Sequence, residues 1–578
     1  MKTNAKSIAG VTLALALLLS ACGNGGQSST ASSEGGNSQS TSSSVSSASE
    51  LTDEERWHGA YDEPVTIKVA IPTNAALTFP DGSSWSDNVW TRSLLEDLNI
   101  QVEVMWEAEN ASGQYDTKMN LAISSNDLPD IISLSNYGQF DKLYDAGKLE
   151  ELTQYYEDYA YPYFKANIET DPQVLEWGTI EGKLMGIPQE GVNYQQVRMI
   201  WIREDWLTES GLDEPETIED VIGIAKAFKD ADPENRLGLA MFKTVLGDGM
   251  CDITGISNAM GAYPRVWLED GNGGLKYGTI QPEFKEVLAV YAELYADGYI
   301  DQAFASLDGN AVAEQLTSNK LGVIIGNSWL AGWPLNTLYD TDQVNWNLYP
   351  VLPSEKSEGT VKVQTLDPSG KMIAVRKGFE HPDALFKWLN YNIAKTTDPE
   401  TAEPRKFHST ATDAEEQFDF AMENPLYVYW NDPMLNFDTQ PHVTDAIDKK
   451  DKSYLTTVHD ETQYASTIRY FDKIEAGEQI TGSDWAAWRS WYGEDSAFGI
   501  MNGYFANDNY LVSKLAGYQT DTMVKQWGNL KTLEEQYIVE IISGVRPVDD
   551  FEEFVSTWKS MGGEQITQEV NEWYQSKQ

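Results

Sequence analysis

The sequence predicts an α/β protein of two lobes, in which mostly parallel sheets are covered by helices on both faces. The chain has 578 residues, which is more than one core accommodates, since hydrophobic cores stop growing near about 250 to 300 residues. Strand-like and helix-like segments alternate between residues 65 and 146, and such alternation is typical of parallel sheets with helical crossovers. The alternation begins again near residue 199, which predicts the second lobe.

In the first lobe, β-branched alternating runs predict strands, and apolar residues three or four positions apart predict helices. The clearest strand is 65–71, where apolar and polar residues alternate until Pro72 ends the run. The predicted strands are 65–71, 100–106 and 130–134, and the predicted helices are 90–98, 115–123 and 140–146.

The second lobe follows the same rules. Its predicted strands are 199–202, 237–242 and 321–325, and its predicted helices are 218–228 and 284–295. A last helix over 551–561 has one apolar face that contains Trp558, and Gly562 with Gly563 is expected to end it. Two lobes in series leave a cleft between them, and such clefts are preferred ligand sites.

The N-terminus carries a short export signal. Lys2 and Lys6 precede an apolar run from Ile8 to Leu19, which is too short to remain in a bilayer as a spanning helix. The following Leu-Ser-Ala-Cys22 resembles the lipobox of bacterial lipoproteins, in which the cysteine is acylated after cleavage. We therefore predict a signal peptide over 1–21, lipidation of Cys22, and an extracytoplasmic protein anchored to the cell membrane, with a Gram-positive cell surface as the expected place.

A tether is predicted over 22–55. Twelve of the residues from Gln27 to Glu50 are serines, and a segment with so little apolar surface cannot offset its ordering entropy by burial. The only other cysteine of the chain is Cys251. With Cys22 acylated, Cys251 is left as a free thiol.

The charge excludes some partners. The formal charge is −49, and loss of Lys2 and Lys6 with the leader, without loss of any acid, makes it −51. A nucleic-acid backbone or an anionic membrane surface would be repelled by such a protein. No nucleic acid is therefore expected, and the membrane is expected to be contacted through the lipid anchor alone.

Catalytic motifs are absent from the sequence. It contains no H-E-x-x-H, no G-x-S-x-G and no P-loop, and its five histidines have no metal-ligand spacing. These absences favour a protein that is not an enzyme. A pair of catalytic carboxylates of the glycosidase kind is not excluded, because 90 acidic residues produce many accidental pairs from which a real one does not stand out.

Aromatic residues are abundant in polar segments. The chain has 19 Trp, 29 Tyr and 18 Phe. A pyranose ring offers a face of C–H groups to an aromatic π-face and an edge of hydroxyls to planar amides and guanidinium groups. Six aromatics in segments rich in Gly, Asn or Ser are therefore candidates for sugar stacking: Trp85, Trp329, Trp333, Tyr427, Trp430 and Trp491.

Several stretches along the folded part resemble the extracellular solute-binding lipoproteins of carbohydrate ABC importers. The resemblance is to the LplA-like branch, which is related to alginate-oligosaccharide-binding and maltose-binding proteins. The stretches that carry it are 126–132 (NDLPDII), 181–188 (EGKLMGIP), 202–207 (IREDWL), 295–301 (YADGYID), 541–544 (IISG) and 551–558 (FEEFVSTW).

The resemblance implies a type II periplasmic-binding-protein-like fold, with a hinge between the lobes and an enlarged helical C-terminal extension. It implies a monomer that closes on an oligosaccharide and delivers it to the permease subunits of an ABC transporter. The expected divisions are 56–188 for the first part of the N-terminal lobe, 189–352 for the second lobe, and 353–578 for the return to the N-terminal lobe with an extension that contributes to both lobes.

The resemblance also implies a site. Trp329 matches the segment that carries a sugar-stacking tryptophan in the wider family and is the best single candidate. The expected set is Trp85, Asn136 and Tyr137 on the first lobe, Tyr194, Arg198, Trp329 and Trp333 on the second, and Tyr427, Trp430 and Trp491 from the extension. The charge favours a neutral sugar. A lipid-anchored secreted glycoside hydrolase and a glycan-capture protein without a transporter remain as alternatives.

A calcium loop is the remaining feature that the resemblance raises. Asp230, Asp232 and Asn235 begin a D-x-D pattern, but Arg236-Leu-Gly follows and the later acidic ligands are missing. Calcium takes six to eight oxygen ligands, so this stretch alone supplies too few. No cofactor is expected, and these three residues are the only candidate metal ligands.

Overall fold

The structure is a computed structural model, and it describes residues 51–577 except for 74–78, 80–81, 110–112, 171–172, 190–192, 248, 358–359, 366–370, 397, 399–400, 408–422, 427–433, 516–517 and 519. The predicted leader, Cys22 and the tether up to residue 50 therefore lie outside the described residues. Residues 51–578 form one compact unit, and within its described part there are two hydrophobic cores.

The first core belongs to the N-terminal lobe. Its first helix begins behind Thr52, whose side chain forms a capping box with Glu55, so ordered structure starts within the predicted tether. The elements up to the first crossing are α1 (Asp53–His58), β1 (Val65–Thr73), α2 (Val89–Leu98), β2 (Ile100–Glu109), α3 (Gln114–Ser125), β3 (Ile131–Leu134), α4 (Tyr137–Asp145), α5 (Thr153–Tyr159), α6 (Pro162–Glu169), α7 (Gln173–Trp177), β4 (Thr179–Ile180), β5 (Lys183–Leu184) and β6 (Ile187–Pro188).

The second lobe is built on β7, whose five residues are all buried, as expected for a central strand. The helix α9 begins at a capping box formed by Thr217 and Asp220. The elements of this part are β7 (Met199–Arg203), α8 (Glu204–Ser210), α9 (Ile218–Ala231), α10 (Thr254–Ala259), β8 (Trp267–Glu269), β9 (Leu275–Tyr277), α11 (Pro282–Ala296), α12 (Gly309–Thr317), β10 (Val323–Gly326), α13 (Leu335–Asp342), β11 (Trp346–Tyr349) and β12 (Val363–Gln364).

The chain then returns to the first core through β13 (Met372–Val375), α14 (Asp383–Thr396) and α15 (Pro404–Phe407). The helical extension packs mainly into the second core. Its elements are α16 (Leu435–Asp448), α17 (Val458–Ala476), α18 (Gly482–Trp491), α19 (Ala497–Ala506), β14 (Tyr510–Leu511), α20 (Asp521–Ile542), α21 (Phe551–Trp558) and α22 (Glu564–Lys577).

Strand directions differ from the expectation of mostly parallel sheets. In the described part, β1 with β2 and β12 with β14 are parallel, whereas β7 pairs antiparallel with both β10 and β11. In the first lobe β13 lies antiparallel between β3 and β6. The strand β13 thus runs opposite to both of its neighbours where the chain returns from the second lobe to the first core.

The two-lobed α/β class is confirmed, and most predicted elements are present. The strand predicted at 237–242 is wrong, because the described structure gives this run one isolated bridge, from Leu239 to Val323. The run is apolar because it is buried. The predicted end of the last helix at Gly562 is a tight turn with a φ of 118° at that glycine, after which α22 continues. Trp558 is fully buried, as predicted.

Candidate functional site

Two exposed tryptophans follow the end of β10 in the second lobe. Trp329 is 37% exposed and Trp333 is 42% exposed, and they are the only aromatics among the exposed large apolar residues of the described part. Their ring centroids are 6.3 Å apart and their planes differ by 19°. This pair, called the tryptophan platform below, exposes aromatic rings, whose π-faces can stack on the C–H face of a sugar ring.

The platform is held by Asn327, which is fully buried two residues before Trp329. The Asn327 side chain accepts a hydrogen bond from Arg198 Nη1 at 2.6 Å and donates one to Gln196 Oε1 at 2.5 Å. Its backbone N–H donates to the Gly249 carbonyl at 2.8 Å. The backbone that leads to Trp329 is therefore held through the side chain of Asn327 and through its backbone N–H.

Arg198 and Asp252 form a buried ion pair beneath Asn327. Arg198 Nε donates to Asp252 Oδ1 at 3.0 Å and Nη2 donates to Oδ2 at 2.5 Å, and both side chains are at most 1% exposed. The Asp252 carboxylate also accepts the backbone N–H groups of Gly247 and Thr254. Burial by itself would raise the pKa of Asp252, but the charge and hydrogen bonds of Arg198 lower it.

Arg198 is thus placed differently from a residue that faces a ligand. Each of its side-chain nitrogens donates within the protein, to Asp252, Asn327 and the carbonyl of Gln196. In this conformation Arg198 supports the platform from below. Its predicted contact with sugar hydroxyls stays a prediction.

Gly249 lets the loop that contains it pack closely against Asn327 and Trp329. A Cβ at Gly249 would lie 2.7 Å from Asn327 Nδ2 and 3.4 Å from Trp329 Nε1, and its φ is +92°. Sequence reasoning missed Asp252, Asn327 and Gly249 as members of the site. The Gly-Asp-Gly run at 247–249 was the available signal, since glycine permits both a positive φ and a close approach.

The candidates of the first lobe follow β1 and β3, which are linked by hydrogen bonds between Lys68 and Asp130. Trp85 is half-buried and lies edge-to-face on Phe79, with ring centroids 5.1 Å apart. Asn136 caps α4 by accepting the N–H of Gln139 at 3.1 Å. Asn136 lies two residues after β3, at the kind of strand end where open α/β sheets bind ligands, whereas Trp85 lies twelve residues beyond the end of β1.

Tyr137 and Trp491 are more buried than candidate ligand contacts usually are. Tyr137 packs against the ring of Tyr518, with centroids 6.1 Å apart. Trp491 stacks on Phe498 with centroids 4.3 Å apart and planes 15° apart. Both are buried in this conformation, so their predicted contact with a ligand would require movement.

Tyr194 lies in the segment that enters the second lobe. It is half-buried, and its ring meets those of Phe505 and Tyr510 at 5.0 and 5.2 Å between centroids. Tyr427 and Trp430, the remaining candidates, lie outside the described residues. The structure therefore brings together Arg198, Trp329 and Trp333.

The three candidate calcium ligands make other contacts. Both Asp232 oxygens accept from Asn235 Nδ2, at 3.0 and 3.1 Å, and Asp230 accepts from the hydroxyl of Tyr299 at 3.3 Å. Within the described ranges there is no cluster of three or more His, Cys, Asp or Glu residues that could hold a metal. In those same ranges, no helix has the length and apolar character needed to cross a bilayer.

The fold has well-defined relatives. The crystal structure of the alginate-binding protein AlgQ2 without calcium superposes with a TM-score of 0.57 at 19% identity, covering 89% of this chain and 99% of that one. That likeness shows the fold, which is of the two-lobed type II periplasmic-binding-protein-like kind. A model of the bacterial extracellular solute-binding protein family matches residues 78–395, and the chain belongs to this family.

Curated proteins that are similar in sequence include two from Gram-positive bacteria. Lipoprotein LipO of Bacillus subtilis is 24% identical over 537 residues, which is 88% of this chain and 92% of that protein. The fructooligosaccharide ABC transporter substrate-binding protein FusA of Streptococcus pneumoniae is 27% identical over 324 residues, covering 52% of this chain and 56% of its own length.

Proposed function

We propose that this protein is the extracytoplasmic substrate-binding lipoprotein of an ABC transporter, and that it captures an oligosaccharide between its lobes and delivers it to a permease. The observation that carries the proposal is the tryptophan platform, an exposed aromatic pair fixed by a buried polar network at the end of a sheet. Family membership supports the solute-binding role. An aromatic pair kept in water costs free energy unless a ligand covers it.

The names of similar proteins support a sugar as the solute. FusA is a fructooligosaccharide-binding protein and AlgQ2 is an alginate-binding protein. They differ in ligand charge, so the charge of this chain has to decide between neutral and uronic sugars.

A neutral oligosaccharide is favoured by the state of three arginines that could have attracted a uronate. Arg198 is paired with Asp252, Arg203 with Asp205, and Arg265 with Glu534 and Glu535. Their charges are thereby offset within the protein. The overall charge of −49 then repels an anionic ligand wherever no local cation reverses the field.

Closure about a hinge is the proposed mechanism of capture. The chain leaves the first lobe after β6 and enters it again at β13. These two passages lie side by side where the Gln189 N–H donates to the Lys371 carbonyl at 3.0 Å, which supports a hinge between the lobes there.

We propose the lobe divisions 56–188, 189–352 and 353–578, no catalytic activity, a monomeric state, cleavage after residue 21, and a lipid anchor at Cys22 on the outer side of the cell membrane. The lipoprotein LipO, which is similar over most of the chain, supports the anchor.

The test is calorimetry of the chain from Glu50 onward against neutral and uronic oligosaccharides. We expect a neutral oligosaccharide to bind best and Trp329→Ala to weaken that binding by about thirtyfold or more, since a central aromatic contact is worth about 2 kcal/mol or more. Val545→Ala, at an exposed apolar residue after α20, is the control. The proposal fails if no sugar binds at millimolar concentration, and the platform loses its role if Trp329→Ala leaves the affinity unchanged.

Two further measurements separate the alternatives. Release of reducing ends from mixed glycans would identify a glycoside hydrolase. Small-angle scattering should show compaction on saturation with the sugar, which a glycan-capture protein without a hinge would not show.

A further inference from the structure

A groove lies in the second lobe beside the chain segment that leaves β11. One wall is this return segment, residues 350–353 and 360–361, and the other wall is α19 with the residues that follow it. Its volume is about 880 Å³, within the range of about 300 to 1,000 Å³ that small-molecule sites occupy. The groove contains none of the residues predicted for the site.

The chemistry of the groove suits an uncharged, hydroxyl-rich ligand. Its lining combines aliphatic side chains such as Val351, Val361 and Ile500 with side-chain amides such as Asn502, Asn507 and Asn509. Amides pair with hydroxyls both as donors and as acceptors, and aliphatic groups pack on the C–H faces of a sugar.

Charge disfavours an anion in the groove. The described residues that line it include no lysine or arginine, but they include Glu494 and Asp495. Asp495 is paired with Arg489, whose Nη1 lies 3.3 Å from its Oδ2, and both Glu494 and Asp495 are exposed. A carboxylate accepts hydrogen bonds from hydroxyls and repels acidic groups.

The groove and the tryptophan platform lie at the same end of the second-lobe sheet. Gly326 of β10 pairs with Met199, and Tyr349 of β11 pairs with Ile200, so β10 and β11 leave the sheet on the two sides of β7. Adjacent strands are 4.7 to 4.9 Å apart, which places the two strand ends about 10 Å from each other. An oligosaccharide of a few units is long enough to reach across that distance.

A hydrogen-bonded path joins the two features. The hydroxyl of Tyr504 in α19 accepts the N–H of Val351 at 2.8 Å and donates to the carbonyl of Arg198 at 3.2 Å. Arg198 in turn holds Asn327 below the platform. The same hydrogen-bonded residues therefore contact both the wall of the groove and the backbone that carries the platform.

We propose that the groove binds further units of the neutral oligosaccharide whose other units stack on the tryptophan platform, so that the protein selects longer chains. This inference rests on the proposed function. It commits the groove to uncharged sugar units and gives the helical extension a role in choosing chain length.

The groove can be blocked from a helix position at which an added Cβ has free space. Gly503 lines it from α19, and a Cβ there would meet no atom within 4 Å, so Gly503→Phe fills the groove. Gly528, in α20, is a matched control, because a Cβ there is equally free and the residue is not among those that line the groove. Both substitutions replace a helical glycine and should be tolerated.

The experiment is calorimetry of both variants against length ladders, from two to eight units, of fructo-, malto- and alginate oligosaccharides. We expect Gly503→Phe to weaken binding of the longest neutral chains by about tenfold or more, the equivalent of one or two hydrogen bonds. Gly503→Phe should leave the affinity for the shortest chain that binds unchanged. Gly528→Phe should change the affinity for neither the short nor the long chains. Asn507→Ala, which removes an exposed amide from the rim, should act in the same direction.

The outcomes separate the two proposals. If Trp329→Ala weakens all lengths but Gly503→Phe matches Gly528→Phe at every length, the groove is not part of the site and the proposed function stands. An equal loss for short and long chains with Gly503→Phe would also overturn the length-selecting role. If the unmodified protein binds no member of the ladders, the proposed function fails and the inference fails with it.

Discussion

Replacement of Asp252 by asparagine tests whether the buried ion pair supports the site. The substitution keeps the shape of the side chain and removes its charge, which leaves Arg198 buried without a counterion. Loss of one partner of a buried pair typically costs about 3 to 5 kcal/mol. We therefore expect the free energy of unfolding at pH 7 to fall by that amount and the sugar affinity to fall with it, because Asn327 and the platform depend on Arg198.

The assay is urea unfolding followed by circular dichroism and by tryptophan fluorescence. Asp445→Asn is the control, since Asp445 pairs with Lys449 at 2.8 Å on an exposed face of α16 and such pairs contribute no more than about 1 kcal/mol. Asp252 has a lowered pKa in the folded state, so the contribution of the pair is present above the usual aspartate pKa of about 3.9 and is lost as the pH falls through the folded value. Equal costs for Asp252→Asn and Asp445→Asn at pH 7 would refute the reasoning.

Two further perturbations have definite outcomes. Gly249→Ala places a Cβ 2.7 Å from Asn327 Nδ2 at a positive φ, so we expect a lower melting temperature, a loss of about 1 to 3 kcal/mol in stability and weaker sugar binding; an unchanged melting temperature would contradict the close packing. Burial lowers the pKa of Lys387 to about 8, although its ammonium donates to the carbonyls of Glu55 and Gly59. From pH 8 to pH 10 the free energy of unfolding of the natural protein should therefore rise by up to about 2 kcal/mol relative to that of Lys387→Met, because over this range the lysine keeps its proton in the unfolded state and loses it in the folded state. Urea titrations at the two pH values measure this change, and an equal change in both proteins would exclude it.

Periodic burial explains which elements could be predicted. The strand predicted over 65–71 alternates between buried and exposed residues as far as Val69 and is buried from there to Ile71, and α11 contains the predicted apolar face over 284–295. The run at 237–242 is equally apolar, yet most of it is buried without strand pairing. Hydrophobicity reports removal from water and not the partner of the backbone, which is why this one prediction is wrong.

The candidate site divides in the same way. Residue type and context single out Trp329 and Trp333, and the structure leaves both exposed; their contact with a ligand stays a prediction. The same reasoning also selects Trp491, which stacks on Phe498 inside the core. A tryptophan in the sequence looks the same whether it lies exposed after a strand or buried in the core. Only the packing around it in the folded protein distinguishes the two cases.

By itself, the sequence determined the family and the two-lobed α/β class, and it predicts the export signal and the aromatic character of the candidate site, because each is written in local composition or in the order of short motifs. Tertiary structure decided that Arg198 pairs with Asp252, that Asn327 ties them to the platform, and that α19 meets the return segment to form a groove. These contacts join residues 54 to 306 positions apart. Local sequence patterns do not identify such partners, because residues so far apart in the chain come into contact only when the lobe is folded. Burial then makes an ion pair or a hydrogen bond between them favourable.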